Sequence, residues 1–322
     1  MLLIVTHGGP GIGGGHASRC LALAEAFSSL GFPVVLAANR WAVEFFQSNW
    51  DSNQPLQVLE LRDPLDAAVG DLVPRMWNLR PTLTVADSYL LGCRELDALR
   101  GLGRLFVIDD LRTLPVDLHA HGVLNYSLTA HELGYARGRL LLGPRYALLR
   151  RIFWRLEPRG GERILVIPGA SDPLGVNLEL LRWDLPFPLD LVVGPMVPRD
   201  LVEELTALSK GARNVRVLVS PPDLPDRMAS CGTVLCTSSV TAYEALALGK
   251  RIVTFQVADN QASNGRAIGE MGLGIDLGPW GSWGRGELIW AVERAFPPPP
   301  GAVDPRGALN AAEEMARWAV EG

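Results

Sequence analysis

At about 150 residues per domain, a chain of 322 residues has room for two domains. Its 30 Lys+Arg against 35 Asp+Glu leave a net charge of −5, which gives nucleic acid no bulk attraction. Hydrophobic residues at 48% and charged residues at 20% exclude a disordered chain, a collagen and a coiled coil.

Short apolar runs alternate with amphipathic segments. Leu2–Thr6, Phe32–Ala37, Leu56–Leu61, Thr82–Ala86 and Leu105–Ile108 read as buried strands, with helices over 17–30, 41–48 and 65–78 between them. Leu140–Leu142 adds an edge strand. The rhythm pauses at the arginine-, proline- and glycine-rich stretch Arg150–Arg163 and then restarts. Ile164–Ile167, Leu189–Val193, Val215–Val219, Val234–Cys236 and Ile252–Phe255 read as strands, with helices near 174–182, 200–210, 240–248 and 262–270. Pro297–Pro300 breaks the chain before a last helix from about Pro305 to Ala319. The reading is α/β: two Rossmann-like doubly wound domains, 1–157 and 158–322, facing across a cleft, with the last helix able to pack back on the first domain. The 34 glycines and 24 prolines are spread along the chain and signal many tight turns. No basic segment or long apolar stretch follows Met1, so neither a signal peptide nor a membrane span is expected. Cys20, Cys93, Cys231 and Cys236 form no CxxC pair, so a reducing cytoplasm is the expected location.

Ligands of open α/β sheets bind beyond the carboxyl ends of the strands, so the polar residues there are the candidates. After the first strand comes Gly8-Gly9-Pro10-Gly11-Ile12-Gly13-Gly14-Gly15-His16. Gly9, Gly11 and Gly14 formally satisfy GxGxxG, but Ala37-Ala38-Asn39-Arg40 supplies no ribose-binding acid, and no Lys-Ser/Thr follows for a Walker loop. That argues against a nicotinamide oxidoreductase. The glycines expose amides at a helix N-terminus, and His16 sits there. The positive end of the helix favours neutral imidazole, the form a general base needs.

Asp87-Ser88-Tyr89 and Asp109-Asp110 follow two further strands. The first pair of side chains could orient a hydroxylated ligand; the second reads as turn capping and salt bridging. In the second half, Gly169-Ala170-Ser171-Asp172 suits close approach of a ligand or helix initiation. Ser238 and Ser239 through Thr241 to Glu244 suit a phosphate and a ribose, or a capping box. Ala258-Asp259-Asn260-Gln261 reads as a sugar-contacting loop or a cap. Trp41, Phe45 and Phe46 read as core at helical spacing. His119, His121 and His131 show no metal-ligand spacing, and no G-x-S-x-G elbow appears.

Taken in order, Ile12-Gly-Gly-Gly-His16-Ala-Ser-Arg19-Cys20, Asp87-Ser-Tyr89, Ile108-Asp-Asp110, Leu142-Gly-Pro-Arg-Tyr146-Ala-Leu-Leu-Arg150, Gly169-Ala-Ser-Asp172, Ser238-Ser239 to Glu244 and Ala258-Asp-Asn260-Gln261 resemble one family. It is the UDP-2,4-diacetamido-2,4,6-trideoxy-β-L-altropyranose hydrolases of pseudaminic acid synthesis (PseG), themselves similar to GT-B glycosyltransferases such as MurG. Gly169-Ala170 stands where the family more often has Gly-Gly, and Val116–Glu132 matches no pattern of it. The resemblance implies a metal- and cofactor-independent nucleotide-sugar hydrolase that cleaves the anomeric C–O bond with inversion. It implies catalytic positions at His16 (the base), Tyr89 and Asn260. It implies substrate contacts from Gly13, Gly14, Gly15, Arg19, Asp87, Gly169, Ser171, Asp172, Ser238, Ser239, Thr241, Glu244 and Gln261. The expected partner is a UDP-sugar, with no nucleic acid, membrane span or obligatory protein partner. The alternatives are a GT-B transferase using a UDP-sugar donor and a non-catalytic sugar-nucleotide-binding protein.

Overall fold

The computed structural model describes every residue except Pro10, Arg213, Glu321 and Gly322. The chain forms two compact units, Met1–Arg151 with Arg306–Gly322, and Ile152–Pro305.

In the first unit the strands are β1 (Leu2–Thr6), β2 (Val34–Asn39), β3 (Leu56–Leu61), β4 (Leu83–Asp87), β5 (Arg104–Ile108), β6 (Gly122–Asn125) and β7 (Arg139–Leu142). They form one parallel sheet in the order β3-β2-β1-β4-β5-β6-β7. The helices α1 (Gly15–Ser29), α2 (Arg40–Asn49), α3 (Leu65–Trp77), α4 (Cys93–Arg100) and the short α5 (Val116–His119) connect them. Strands β1 and β2 are buried along their whole length, as parallel strands covered on both faces must be, and their sequences are accordingly almost wholly apolar. Strand order reverses between β1 and β4, and Thr6 pairs in register with Asp87 there. This is the topological switch point, where a doubly wound sheet opens a crevice.

The second unit repeats the plan with β8 (Ile164–Ile167), β9 (Leu189–Val193), β10 (Val215–Val219), β11 (Thr233–Thr237), β12 (Arg251–Gln256) and β13 (Ile275–Pro279), in the order β10-β9-β8-β11-β12-β13. Its helices are α6 (Val176–Arg182), α7 (Arg199–Ser209), α8 (Leu224–Ser230), α9 (Val240–Ala247), α10 (Ala262–Glu270) and α11 (Arg285–Arg294). Here the switch point lies between β8 and β11.

The division falls between Arg151 and Ile152 rather than at 157, and the last helix, α12 (Gly307–Val320), belongs to the first unit and not the second. Packing explains the placement. Ala308, Leu309, Ala311, Ala312 and Met315 bury one face of α12, which lies against α1. Arg104 donates to the Trp318 carbonyl at 2.7 Å and stacks its guanidinium 4.1 Å from the Trp318 ring. Arg139 pairs with Glu314 at 2.6 Å.

Two strands lie beyond those expected from the pattern. β6 opens on Gly122, where a Cβ would run into the Phe106 ring, so a residue that usually breaks strands is required by packing. β13 holds Gly278 and Pro279, which read as a turn but are tolerated on the edge strand of this sheet.

Candidate functional site

The site in the first unit assembles at the β1–β4 switch point. After β1 the chain must turn sharply to enter α1. Gly11 and Gly13 adopt φ of +81° and +86°, a region where side chains are strained. The loop closes on itself through Gly13 N–H to the Gly9 carbonyl at 2.8 Å and Gly9 N–H to the Gly13 carbonyl at 3.2 Å. Gly8 is required for a different reason: its Cβ would lie 2.6 Å from the Trp41 ring. Trp41 stacks on Phe45 and closes over the loop, while Phe46 is buried in the core. Gly14 caps α1 without a side-chain hydrogen bond, and Gly15 is the first helical residue.

His16, Arg19 and Cys20 stand at i, i+3 and i+4, one face of α1. All three converge on Asp87, which ends β4 and is fully buried. His16 Nδ1 lies 2.6 Å from Asp87 Oδ1. Arg19 donates from Nε to Oδ2 and from Nη2 to Oδ1, both at 2.6 Å. The Cys20 thiol donates to Oδ2 at 3.5 Å. Burial alone would raise the Asp87 pKa, but the Arg19 guanidinium and then His16 outweigh it and hold the carboxyl well below the usual range. Asp87 is therefore an ionised acceptor, and the hydrogen on His16 Nδ1 points to it. Burial keeps the Cys20 thiol protonated.

That fixes the tautomer. His16 Nε2 is left as an acceptor without a partner among the described residues, on a side chain only 5% exposed. Tyr89, 47% exposed, meets the His16 ring edge-on at 4.5 Å, and His7 stacks on it at 5.3 Å. His7 is buried, which lowers its pKa, and its Nδ1 has no hydrogen-bond partner among the described residues.

Asp110 completes the arrangement from the end of β5. One oxygen accepts from Arg19 Nη1 at 2.7 Å, the other from the Tyr89 hydroxyl at 2.7 Å. Its neighbour Asp109 instead caps the following turn, accepting from the amides of Leu111 and Arg112 and from the Tyr135 hydroxyl at 2.7 Å. Sequence spacing gives the two aspartates the same role; the structure separates them. Arg19 was expected to contact substrate. In the structure it is buried and donates from Nε and Nη2 to Asp87 and from Nη1 to Asp110.

In the second unit the expected residues divide the same way. Gly169, at φ +111°, and Ser171 follow β8. Asp172 does not present its carboxylate outward. Both oxygens accept the first amides of α6, from Val176 at 2.8 Å and Asn177 at 3.0 Å. The Ser238 hydroxyl also turns inward, to the Phe255 carbonyl at 3.3 Å and to Asp276 at 3.2 Å. Asp276, unexpected from the sequence, gathers Thr254 and Gln256 as well, at 2.8 and 3.0 Å. Ser239, not Thr241, is the N-cap of α9, and its hydroxyl pairs with Thr237 at 2.9 Å. Thr241 and Glu244 lie on α9, half-buried. Asn260 is exposed in the turn after β12, while Gln261 folds back to accept the Val257 amide at 2.9 Å and shapes that turn. A hollow of about 620 Å³ lies elsewhere, lined by Gly161, Ile164, Thr233 and Lys250 at the opposite, amino ends of the strands. Among the described residues no three His, Cys, Asp or Glu side chains are grouped to hold a metal, and no helix is long and apolar enough to cross a membrane.

No protein-family model matches the chain, and no curated protein does. Solved structures do resemble it. MurG of Acinetobacter baumannii is 14% identical with a TM-score of 0.65, over 100% of this chain and 99% of that one. CalG4, the calicheamicin glycosyltransferase, is 14% identical with a TM-score of 0.64, over 99% and 96%. The spinosyn forosaminyltransferase SpnP is 14% identical with a TM-score of 0.63, over 99% and 94%. The chain has the two-domain, Rossmann-like GT-B fold. At this identity the likeness carries the fold and not the reaction.

Proposed function

We propose that the protein cleaves a UDP-sugar at the anomeric carbon with inversion, and that the nucleophile is water. The observation that carries this reading is the His16–Asp87 pair: an imidazole with Nδ1 2.6 Å from a buried, ionised carboxylate and Nε2 unpartnered among the described residues. This is the arrangement that lets a histidine act as general base, because the carboxylate fixes the tautomer and stabilises the imidazolium as it forms. In the proposed step a water oxygen bonds to the anomeric carbon and gives its proton to His16 Nε2. The bond from that carbon to the diphosphate oxygen breaks, and UDP leaves with the electron pair. Asp87 and Asp110 are both engaged by Arg19, which suits single displacement, since neither is free to form a glycosyl ester.

Tyr89 and Asn260 are proposed to place sugar and water. Gly13, Gly14 and Gly15 offer backbone at the opening of α1. The diphosphate is assigned to amides after β8 and at the start of α9, near Gly169, Ser171, Ser239 and Thr241, and the ribose to Glu244. Two features favour water over a larger acceptor: the 5% exposure of His16, and the run of motifs shared with the pseudaminic acid hydrolases. Transfer to an acceptor hydroxyl is the second reading, and the glycosyltransferase neighbours favour it. The same base would serve both. Incubation with UDP-sugars without acceptor separates them: free sugar and UDP from the protein alone support hydrolysis, and turnover only after an acceptor is added supports transfer.

A further inference from the structure

We propose that His7 is a further catalytic residue, whose Nδ1 hydrogen-bonds a hydroxyl, of water or of the sugar, in the crevice against His16. The role rests on the reading of His16 as the base. His7 follows β1 directly and is 1% exposed. The chain is pinned on both sides of it. The Thr6 hydroxyl donates to the Asp87 carbonyl at 3.1 Å, and Gly8 exchanges two hydrogen bonds with the Asn39 side chain, at 3.2 and 2.9 Å. The ring is thus carried by fixed backbone and lies 5.3 Å from the His16 ring, 28° from parallel. His7 Nδ1 is buried and has no hydrogen-bond partner among the described residues. A buried nitrogen without a partner costs stability. A phenylalanine or a leucine would cover the His16 ring without that cost. Histidine at this position is explained by a partner that enters the crevice from outside the chain.

The chemistry of the ring selects that partner. Burial first, and then the charge of His16, lowers the His7 pKa, against smaller opposing effects of Asp87 and Asp63. At neutral pH the ring is therefore uncharged, with one donor and one acceptor nitrogen. It suits an uncharged hydroxyl rather than a diphosphate, which calls for cations or backbone amides. His7 takes up no proton in the step: the proton of the reacting water still goes to His16 Nε2. A hydrogen bond from His7 to that water aims its oxygen at the anomeric carbon. A hydrogen bond to a sugar hydroxyl instead holds that carbon in place.

The test uses the full chain, first without substrate. Long-range proton–nitrogen NMR reads the His7 ring nitrogens, assigned by their loss in His7→Asn. The expected signal is that of a hydrogen-bonded Nδ1, with water supplying the hydroxyl; a bare Nδ1 overturns the proposal. Kinetics then use the UDP-sugar that is turned over. His7→Phe and His7→Leu keep a cover over His16 without a nitrogen, and should lower kcat/KM about 30-fold or more. His7→Asn, whose amide reaches one bond beyond Cγ as Nδ1 does, should stay within about fivefold of wild type. Loss in kcat alone assigns the hydroxyl to water, and loss carried by KM assigns it to the sugar. A packing role predicts the reverse order, with the Phe and Leu variants active and the Asn variant slow. That order, or His7→Phe and His7→Leu within about threefold of wild type, overturns the proposal. His7→Leu carries the comparison if His7→Phe does not fold. The NMR signal is read whether or not a sugar nucleotide is cleaved. A hydrogen-bonded Nδ1 without turnover would therefore count against the reaction alone, and turnover with a bare Nδ1 or the reverse order against this proposal alone.

Discussion

Glu25 lies on α1 nine residues beyond His16, 2% exposed, and its Oε2 accepts the Arg151 amide at 2.8 Å, where the chain leaves the first unit. Burial raises its pKa from 4.5 to about 7, with the Arg151 amide and the Arg150 charge offsetting only part of the effect. The folded state therefore holds this proton more tightly than the unfolded chain. Its contribution to stability is complete below pH 4.5 and is lost as pH rises through 7. At about 1.4 kcal/mol per pH unit, the rise corresponds to a ceiling of about 3 kcal/mol. Glu25→Gln keeps a carbonyl for the Arg151 amide and removes the charge. Urea unfolding of wild type and variant, compared at pH 4.5, 6, 7 and 8, isolates the difference, because all other groups cancel. The variant should match wild type near pH 4.5 and exceed it by about 2–3 kcal/mol at pH 8. A difference that is flat with pH, or a variant that is weaker at pH 8, would refute the reasoning.

Asp87→Asn removes the charge that fixes the His16 tautomer; kcat for sugar-nucleotide cleavage should fall about 10³–10⁴-fold with a smaller change in KM, read by steady-state UDP release. Gly8→Ala places a Cβ 2.6 Å from the Trp41 ring and should cost about 1–3 kcal/mol in urea unfolding, part of it recovered when Trp41→Ala is added. Ser238→Ala should leave UDP affinity within about threefold of wild type by calorimetry, because its hydroxyl faces Asp276 and the Phe255 carbonyl rather than a ligand. A loss beyond tenfold would place that hydroxyl on the diphosphate.

The two-sheet plan was legible because the strands are short apolar-rich runs between amphipathic segments, unbroken where a strand is central and buried, as in Leu2–Thr6 and Ile164–Ile167, and interrupted by polar residues in the half-exposed edge strands Leu56–Leu61 and Val215–Val219. Leu2–Thr6, Leu56–Leu61, Ile164–Ile167, Leu189–Val193 and Val215–Val219 are strands with the bounds their sequences suggest. β6 and β13 were hidden because their glycines and proline answer to Phe106 and to an edge position, which are facts of packing. In the site, the i, i+3, i+4 spacing of His16, Arg19 and Cys20 carries a signal, since it puts three polar side chains on one helix face. Their common target does not appear in that spacing, because Asp87 arrives from β4, about 70 residues on. Asp110 could not be told from Asp109, as adjacent strand-end residues point to opposite sides. Asp172 and Gln261 read equally as ligand contacts and as local caps, and their hydrogen bonds are local; Ser238 turns to the Phe255 carbonyl and to Asp276, partners on other strands that its own stretch does not reveal. His7 carried no motif at all. It is found only by its buried ring against His16.

The most direct test of the account is release of UDP. Wild type and His16→Ala would be incubated with a panel of UDP-sugars that includes 2,4-diacetamido-6-deoxy hexoses, without acceptor, and proton NMR would follow the anomeric signal. The account predicts that one sugar is freed with its anomeric configuration inverted, and that His16→Ala is slower by about 10³-fold or more. Equal rates in the two proteins, or a product that retains its configuration, would contradict it.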